Sequence, residues 1–556
     1  MLGAVLLAGL VFYLVNAAHF AHQPLRIEEN EWPPMAEAIY DHGRPVIPFD
    51  ETHKLRFAPD GSVDRNELIG AWHPPLYLYM LAATMPVLGG DASYALRGIG
   101  IAGLLVACLL LFLIAREVAP RRWPLIGTAA VTLLLVHPYA IQGSTFIDID
   151  TSIYAPAILL VLWLAIRFGA RERIGVREVL LIGAALALVG WMKLTTALIL
   201  LPVLALWWIL LRRVRGIPEV SAMIAAGAAM FFATYALWCQ IAGIPFSYTF
   251  RYTFQGKSDR LGDSALLDQA FQWHLMWFMP VIALLVLAYG VDAVVAFART
   301  RRPRPLDLLW GFGVAVLIGY VVLSPTNGVY QGKYAFPALP ALMLPIAWML
   351  LRDVRAAARP LLTAAAAAGA LAVGVIVALL MPDLLTGQRY VLLPAPERLA
   401  IVLATVLALR LVWDALPGRA TAMPALMLLV AAPLLIAQSV RSYEADVSPM
   451  WPVQDKADFV AGQRALNAAV GPGDIVLAAK DIGFYVQDAK VIEGEDAVLR
   501  GDELTADVLR EQERVRAVAS DSFGPPLGPA TQKAIADCFG AQQAFGTTVI
   551  RTRTEC

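Results

Sequence analysis

Two adjacent glutamates, Glu28 and Glu29, follow shortly after the first apolar segment of the chain. A carboxylate at this place lies near the membrane surface, where it can take a proton from a substrate carried by a lipid. The other acidic residues of segment 19–71 are interpreted as a solvated loop. Five of the seven histidines lie in this segment or at its end: His19, His22, His42, His53 and His73. Their spacing matches no known ligand motif, so a divalent metal ion is a candidate cofactor only.

A second acidic pair, Asp148 and Asp150, lies between two apolar runs, where a charge drawn into hydrocarbon costs a few kcal/mol. Asp148 is interpreted as a structural residue. Asp150 has two interpretations, as a functional carboxylate or as the N-cap of the next helix, a role that Thr151 could also fill.

Two lysines complete the set of charged groups near apolar segments. Lys193 interrupts an apolar run, and Lys333 lies between Tyr330 and Tyr334. Each ammonium group either snorkels to the membrane interface or neutralises an anionic head group, for which a phosphate is the best candidate. The aromatic and basic segment 248–257 has two interpretations as well, as the lining of a sugar or lipid path or as an interfacial belt.

The elements that must position these groups are apolar helices. Of the 556 residues, 59% are apolar and 16% are charged, and the mean hydropathy is +0.63. Soluble domains carry about 25% charged residues, so the composition indicates a membrane protein. Runs of about 20 apolar residues predict thirteen spans, which begin near residues 2, 95, 124, 152, 178, 195, 219, 276, 307, 336, 361, 398 and 423. The run 72–90 is short and opens with His-Pro-Pro, so it predicts an interfacial or re-entrant helix.

Arginines fall on every second connection between the predicted spans, as the positive-inside rule requires of a cytoplasmic face. The long segments 19–71 and 242–275 lie on the opposite side. Thirteen spans with the N-terminus inside then place the tail outside. A cleaved signal peptide that ends near Asn16-Ala17-Ala18 is the alternative for the first span.

The tail from about residue 443 is charged and alternates short β-like runs with amphipathic helical stretches, which predicts a small α/β domain. The β-like runs begin at Asp474, Val515 and Thr547, and the helical stretches lie near 453–469, 503–513 and 529–538. We therefore divide the chain into a transmembrane module, 1–442, which includes the loop 19–90, and a soluble extracytoplasmic domain, 443–556. If the tail is extracytoplasmic, a disulfide between Cys538 and Cys556 is plausible.

In the order of its motifs the chain resembles the polytopic GT-C glycosyltransferases, and among them the group of protein O-mannosyltransferases and aminoarabinose lipid A transferases. The features that carry the resemblance are Glu28-Glu29, the short helix from Met35 to Gly43, His73-Pro74-Pro75-Leu76-Tyr77, Arg97, Asp150, Lys193, and Gly332-Lys333-Tyr334 with Pro337 and Pro340. The chain departs from the pattern at two places. The usual Asp-Glu pair is Glu28-Glu29, and a position that is often lysine is His73.

The resemblance implies a transferase that moves a sugar from a polyprenyl-phosphate donor to an extracytoplasmic lipid, protein or cell-envelope glycan, in a bacterial inner membrane. A single displacement with inversion needs one base and positive charge on the departing phosphate. By resemblance Glu28 is the base, with Glu29 as the alternative, and Asp150 orients the acceptor or the base. Lys193, Lys333 and Tyr334 would hold the phosphate, with His73, Tyr77 and Tyr330 nearby.

Two other classes stay open at this stage. A transporter or flippase would show paired halves and midplane charges, and a related transferase would move an oligosaccharide or a non-sugar group. No P-loop or dinucleotide-binding motif occurs, and the net charge is zero. The partners that we expect are therefore membrane lipids, the lipid-linked donor and the acceptor, without nucleic acid.

Overall fold

The computed structural model describes residues 2–22, 29, 31–57, 62–86, 92–254, 282, 285–323, 332–351, 456–483, 485–494, 497, 501–521, 527–554 and 556. The chain divides into two compact units. We call the first the helical unit, which comprises Met1–His22, Trp72–Tyr77 and Arg97–Trp451. We call the second the sheet unit, which comprises Gln23–Ala71, Leu78–Leu96 and Pro452–Cys556.

Helices make up most of the described chain before residue 352. In chain order they are α1 (Leu2–Ala21), α2 (Trp32–His42), α3 (Leu76–Thr84), α4 (Ala92–Val118), α5 (Trp123–Leu135), α6 (Pro138–Thr145), α7 (Ala155–Gly169), α8 (Val176–Met192), α9 (Leu194–Arg212), α10 (Gly216–Ala242), α11 (Tyr248–Phe254), α12 (Pro305–Leu323) and α13 (Ala338–Leu351). Residues 285–300 are also helical.

Three of the described helical stretches are long and apolar enough to cross a membrane, namely Leu2–Ala21, Leu96–Val118 and Leu194–Ala242. A fourth results if α5 and α6, which are bent by 66°, form one broken span. The stretch Leu194–Ala242 is interrupted by the 3₁₀ turn Arg213–Arg215, and its two halves, α9 and α10, pack against each other. The chain therefore reverses at the arginines. These apolar helices make the protein an integral membrane protein.

The predicted count of thirteen spans is not established. Ten of the predicted spans overlap described helices, whereas those that begin near residues 361, 398 and 423 lie outside the described residues. Helix α3 has nine residues. At 1.5 Å per residue it covers about 13 Å, well below the roughly 30 Å of the hydrocarbon core. This agrees with the interpretation of 72–90 as less than a full span.

Close packing of helices in the helical unit depends on small residues. A Cβ added at Gly183 in α8 would lie 2.9 Å from the Cβ of Ala226, and one added at Gly227 would lie 3.0 Å from the carbonyl oxygen of Gly183. Only glycine allows α8 and α10 to approach this closely. This contact holds the middle of α8 against α10, and Trp191 near the end of α8 packs against Phe231 and Tyr235 of α10.

The sheet unit contains a five-stranded mixed sheet and two small ribbons. The strands in chain order are β1 (Val46–Ile47), β2 (Arg56–Phe57), β3 (Val63–Asp64), β4 (Leu68–Ile69), β5 (Ile475–Ala478), β6 (Lys490–Glu493), β7 (Val515–Asp521), β8 (Phe539–Phe545) and β9 (Thr548–Arg553). Strands β1 and β4 pair, β2 and β3 pair, and the large sheet has the order β6-β5-β7-β9-β8. Strand β5 is parallel to both β6 and β7, and β9 is antiparallel to both β7 and β8.

Three strands of the tail, β5, β7 and β9, and three of its helices lie within a few residues of the predicted runs, whereas β6, β8 and the short helix Lys480–Gly483 were not predicted. The helices are α14 (Lys456–Ala469), α15 (Lys480–Gly483), α16 (Asp502–Glu511) and α17 (Pro529–Cys538). One core of the unit includes Ile475, Leu509 and Ile535, and another includes Phe459 and Val476. Cys538 and Cys556 form the disulfide that the sequence made plausible. The boundary at residue 443 lies outside the described residues.

Candidate active site

The acidic pair of the helical unit lies in the connection between α6 and α7. Helix α7 begins at Ala155, and its N-cap is Tyr154, without a side-chain capping hydrogen bond. The predicted cap at Asp150 or Thr151 is therefore wrong. Instead, the Thr151 hydroxyl donates to the carbonyl of Asp148 over 2.6 Å, and the Asp150 amide donates to Asp148 Oδ1 over 2.8 Å. These bonds form a tight turn that presents both carboxylates to the same region.

Lys193 occupies a break between two helices. Its backbone is extended, with φ −155° and ψ 121°, and it forms the C-cap of α8 and the N-cap of α9. The Tyr154 hydroxyl donates to the Lys193 carbonyl over 3.1 Å. The Lys193 ammonium donates to Asp150 Oδ2 in an ion pair whose side chains are only 4% and 2% exposed. The break thus delivers a buried ammonium to a buried carboxylate.

Lys333 reaches the other carboxylate. It lies in the 3₁₀ turn Gly332–Ala335, directly before α13. Its Nζ lies 2.8 Å from Asp148 Oδ2, and the two side chains are 4% and 0% exposed. Segments 185 residues apart are joined by this contact. Asp148, interpreted from the sequence as structural, is therefore a member of the charged cluster.

Two stacked tyrosines lie beside the ammonium groups. The rings of Tyr320 and Tyr334 are nearly parallel at 4°, with centroids 5.2 Å apart. The Lys193 ammonium lies 5.3 Å and 5.1 Å from the two centroids, and the Lys333 ammonium lies 5.5 Å from that of Tyr334. Cation–π attraction at such distances adds to the ion pairs. The Tyr320 hydroxyl hydrogen-bonds to the hydroxyls of Thr195 (3.2 Å) and Thr196 in the first turn of α9.

We name Asp148, Asp150, Lys193, Lys333, Tyr320 and Tyr334 the two-lysine cluster. Its two carboxylates and two ammonium groups balance, so its net charge is zero. Burial of four charges is favourable only with close pairing, because the desolvation of each ion costs several kcal/mol. The cluster brings together four of the predicted site residues: Asp150, Lys193, Lys333 and Tyr334.

The remaining predicted site residues are not among the six that define the cluster. Glu29, in the sheet unit, is only 2% exposed. His73 is half-buried in the turn before α3, and Tyr77, in the first turn of α3, is 3% exposed. Glu28 and Tyr330 lie outside the described residues. The roles of these five residues stay predictions.

No group of three or more histidine, cysteine, aspartate or glutamate side chains with the geometry of a metal site occurs among the described residues. His42 of the acidic segment hydrogen-bonds to Glu51 over 2.9 Å. The divalent ion that the histidines suggested therefore has no ligand set in the part of the chain that the structure describes.

Two members of the cluster were not found from the sequence. Asp148 had a sufficient explanation as a structural residue, and its partner is far away along the chain. Tyr320 lies inside the apolar run of α12, where an aromatic residue is typical of core packing. The one signal for it is the polar pair Thr195-Thr196 directly after Lys193, which needs a hydrogen-bonding partner in an apolar environment.

Solved structures similar to this chain are membrane transferases. The match to a crystal structure of ArnT from Cupriavidus metallidurans bound to undecaprenyl phosphate spans 99% of this chain and 98% of the ArnT chain, with 15% identity and a TM-score of 0.53. The match to the Archaeoglobus fulgidus oligosaccharyltransferase in the apo form spans 94% of this chain and 69% of the archaeal chain, with 12% identity and a TM-score of 0.50. No protein-family profile and no curated protein sequence matches the chain.

At these identities the similarity establishes the fold. ArnT and the archaeal oligosaccharyltransferase are GT-C glycosyltransferases. The chain has the GT-C fold, as its motif order implied, with a buried cluster of two lysines and two aspartates in its helical unit.

Proposed function

We propose that this protein is a glycosyltransferase that moves a sugar from a polyprenyl-phosphate donor to an extracytoplasmic acceptor, by a single displacement with inversion. The observation that carries the proposal is the two-lysine cluster, buried inside a fold shared almost end to end with a protein bound to undecaprenyl phosphate. Buried ammonium groups beside tyrosine hydroxyls and rings suit a phosphate that gains charge as its bond to the sugar breaks.

The net charge of zero in the cluster bears on how a donor would bind. Asp150 and Asp148 accept hydrogen bonds from the ammonium groups of Lys193 and Lys333. An arriving phosphate would take over contacts to the ammonium groups and release carboxylate oxygens. A released Asp150 carboxylate can then accept a hydrogen bond from a hydroxyl of the sugar or acceptor. The ion pairs thus keep both lysine side chains in place until the donor is bound.

The chemistry needs one proton acceptor in addition to the cluster. The oxygen of the acceptor attacks the anomeric carbon while the bond from that carbon to the phosphate oxygen breaks. The acceptor's proton passes to a carboxylate, for which Glu28 is our first assignment and Glu29 the alternative. The phosphate leaves as the polyprenyl phosphate, with its charge balanced by Lys193 and Lys333. No second carboxylate is needed as a nucleophile, in contrast to retaining hydrolases.

The proposal includes the orientation in the membrane. The alternation of arginines supports cytoplasmic connections at residues 116–122, 167–177, 212–215, 299–304 and 352–359. With thirteen spans, the acidic loop and the domain 443–556 lie on the outer side of a bacterial inner membrane. The acceptor there is a lipid, a protein or a cell-envelope glycan.

A transfer assay with a labelled polyprenyl-phosphate sugar tests the proposal. It compares the intact protein in membranes with Glu28→Gln and Glu29→Gln. General-base catalysis contributes about 10²–10⁴-fold, so we expect the variant without the base to lose at least about 100-fold in rate. Glu67→Gln is the control, since Glu67 lies in the same segment, is half exposed and pairs with Arg44.

Two outcomes would contradict the proposal in different ways. Full transfer by both Glu28→Gln and Glu29→Gln would show that the base lies elsewhere. If the intact protein transfers no sugar from any such donor and moves a solute across vesicles, the protein is a transporter.

A further inference from the structure

Residues 53–55, which we call the added strand, pair with the edge of the five-stranded sheet through a single parallel β-bridge, within the sheet unit. The Val491 amide donates to the His53 carbonyl over 2.6 Å, and the Leu55 amide donates to the Val491 carbonyl over 2.8 Å. Lys54 therefore pairs with Val491 in parallel register. Because β6 is the outer strand on this side of the sheet, the added segment covers backbone groups that an edge strand leaves open.

Side-chain contacts also hold the added strand and the residues before it against β6. Leu55 is 5% exposed and packs in the same core as Ile492 of β6. The Lys490 ammonium donates to the carbonyl of Phe49 over 3.2 Å and to the carbonyl of Thr52. The ring of Phe49 lies 5.3 Å from the same ammonium. The attachment therefore extends from residue 49 to residue 55 and does not rest on two hydrogen bonds alone.

One lysine of the added strand connects the sheet to the start of α2. The Lys54 ammonium lies 2.6 Å from Glu493 Oε1 at the end of β6 and 3.6 Å from Glu31 Oε1. The three side chains are 23%, 12% and 20% exposed, so water screens them only in part. We name Glu31, Lys54 and Glu493 the sheet-edge clamp. One ammonium shared between two carboxylates holds both near the same point.

The clamp lies close in sequence to Glu29. Glu31 precedes α2 and stands two positions after Glu29, which is itself 2% exposed. We infer that Lys54 and Glu493 are positioning residues through which the C-terminal part of the chain sets the place of Glu29. The inference rests on the proposed function, because Glu29 is one of the two carboxylates proposed as the base.

A positioning role has a specific kinetic signature. A general base acts only when its oxygen lies about 2.6–3.2 Å from the atom that carries the proton, and a displacement of about 1 Å can lower the rate 10²-fold. The groups proposed to hold the donor phosphate, Lys193 and Lys333, belong to the helical unit and are not part of the clamp. Loss of the clamp should therefore lower kcat and leave the KM for the donor nearly unchanged.

The test uses the full-length protein in membranes, with Lys54→Met, Lys54→Arg and Glu493→Gln. The control is Lys533→Met, which removes an exposed lysine from the same unit, paired with Asp537 at 2.6 Å. For Lys54→Met we expect kcat to fall about tenfold or more with less than about a twofold change in donor KM. Lys54→Arg should retain most of the rate, because it keeps the charge. Amide hydrogen exchange in residues 29–42 should become faster in Lys54→Met and not in Lys533→Met.

Each outcome separates the inference from the proposed function. If the intact protein transfers sugar and folded Lys54→Met keeps its full kcat, the clamp is structural only and this inference is wrong. An equal loss in Lys533→Met would also overturn it, because the loss would then not be specific to the clamp. If the intact protein transfers nothing, the proposed function fails and the inference fails with it. Unchanged exchange in residues 29–42 would contradict the mechanical connection itself.

Discussion

The two-lysine cluster and the sheet-edge clamp both consist of lysines and carboxylates, and they differ in burial and in stoichiometry. In the cluster each lysine has its own aspartate, and every charged side chain is at most 4% exposed. In the clamp one lysine serves two glutamates, and the exposed fractions lie between 12% and 23%. The cluster is neutral, whereas the clamp carries one excess negative charge.

This difference indicates different tasks. Buried ion pairs seldom stabilise a fold more than apolar residues of the same size would, because desolvation offsets their attraction. Four buried charges in an apolar environment are therefore better explained by binding than by stability. A partly exposed clamp costs less desolvation and adds directional contacts to a strand that the backbone already holds. It is suited to fixing the position of a segment.

The largest effect is expected when one partner of a buried pair is removed. Asp148→Asn keeps the shape of the side chain and leaves the Lys333 ammonium without its counter-charge in a buried place. We expect a loss of about 3–5 kcal/mol in the free energy of unfolding, measured by unfolding in mixed detergent micelles. Loss of sugar transfer should accompany it.

The double variant Asp148→Asn with Lys333→Met separates stability from function. It removes both charges, so most of the lost stability should return while transfer stays absent. The exposed pair Lys533–Asp537, removed in the same way, should change stability by less than about 1 kcal/mol. If the double variant at Asp148 and Lys333 transfers sugar at the normal rate, the cluster is a structural feature and the contrast with the clamp disappears.

Arg97 provides an intermediate case, a buried cation that donates to backbone carbonyls. Its side chain is 3% exposed, and Nη1 donates to the carbonyls of Phe20 (3.2 Å) and Ala21 (2.8 Å) at the end of α1. These carbonyls lack partners within their own helix. Arg97→Met should lower the free energy of unfolding by about 2–3 kcal/mol, less than Asp148→Asn, because each of these two bonds ends on a neutral carbonyl.

Arg97→Lys is the matched variant, since it keeps the charge with fewer donors. We expect about half the loss of Arg97→Met in the same unfolding experiment. A loss larger than that of Asp148→Asn would show that the charge of Arg97, and not its hydrogen bonds to α1, is what the fold requires.

Local sequence patterns predicted much of the fold, but they did not predict contacts between distant segments of the chain. Hydropathy predicted α8 and α9 with a break at Lys193, because a lysine cannot continue an apolar run without a reason. The α/β pattern of the tail followed from its alternation of short β-like and amphipathic runs. The partner of Lys333 could not be predicted, because Asp148 stands 185 residues earlier and forms a satisfactory local turn.

The sheet-edge clamp was not predictable for a related reason. Lys54 stands in a charged loop where solvation explains every residue, and nothing near Val491 indicates that β6 takes up a further strand. Pairing across more than 400 residues depends on how the sheet unit assembles, and the periodicity of apolar residues along the sequence does not predict it. The disulfide between Cys538 and Cys556 was easier to anticipate, because both cysteines lie in the polar tail.

The smallest effect is expected at Asp502, a carboxylate of the sheet unit that binds backbone amides and has no ammonium partner in the described part of the chain. It accepts hydrogen bonds from the amides of Ala530 (2.7 Å) and Thr531 (2.8 Å) in the first turn of α17. The approach requires glycine at position 528, where a Cβ would lie 2.2 Å from the Asp502 Cγ. Asp502 thus caps α17 from a distant part of the chain.

The pKa of Asp502 gives this cap a defined pH dependence. Burial raises the pKa of the carboxyl, but the hydrogen bonds from Thr531 and Ala530 outweigh that effect and lower it below its usual value. A folded-state pKa below the unfolded value, about 3.9, adds stability above that value and loses it as the pH falls through the folded-state pKa. The difference in thermal stability between the intact protein and Asp502→Asn should therefore be constant near neutral pH and shrink below about pH 4.

Asp507→Asn, on the same helix as Asp502 and more than half exposed, is the control that should show no such difference. A stability difference for Asp502→Asn that persists undiminished to pH 3 would mean that its charge does not matter to the cap. The contrast between paired charges and charges bound by backbone amides would then need revision.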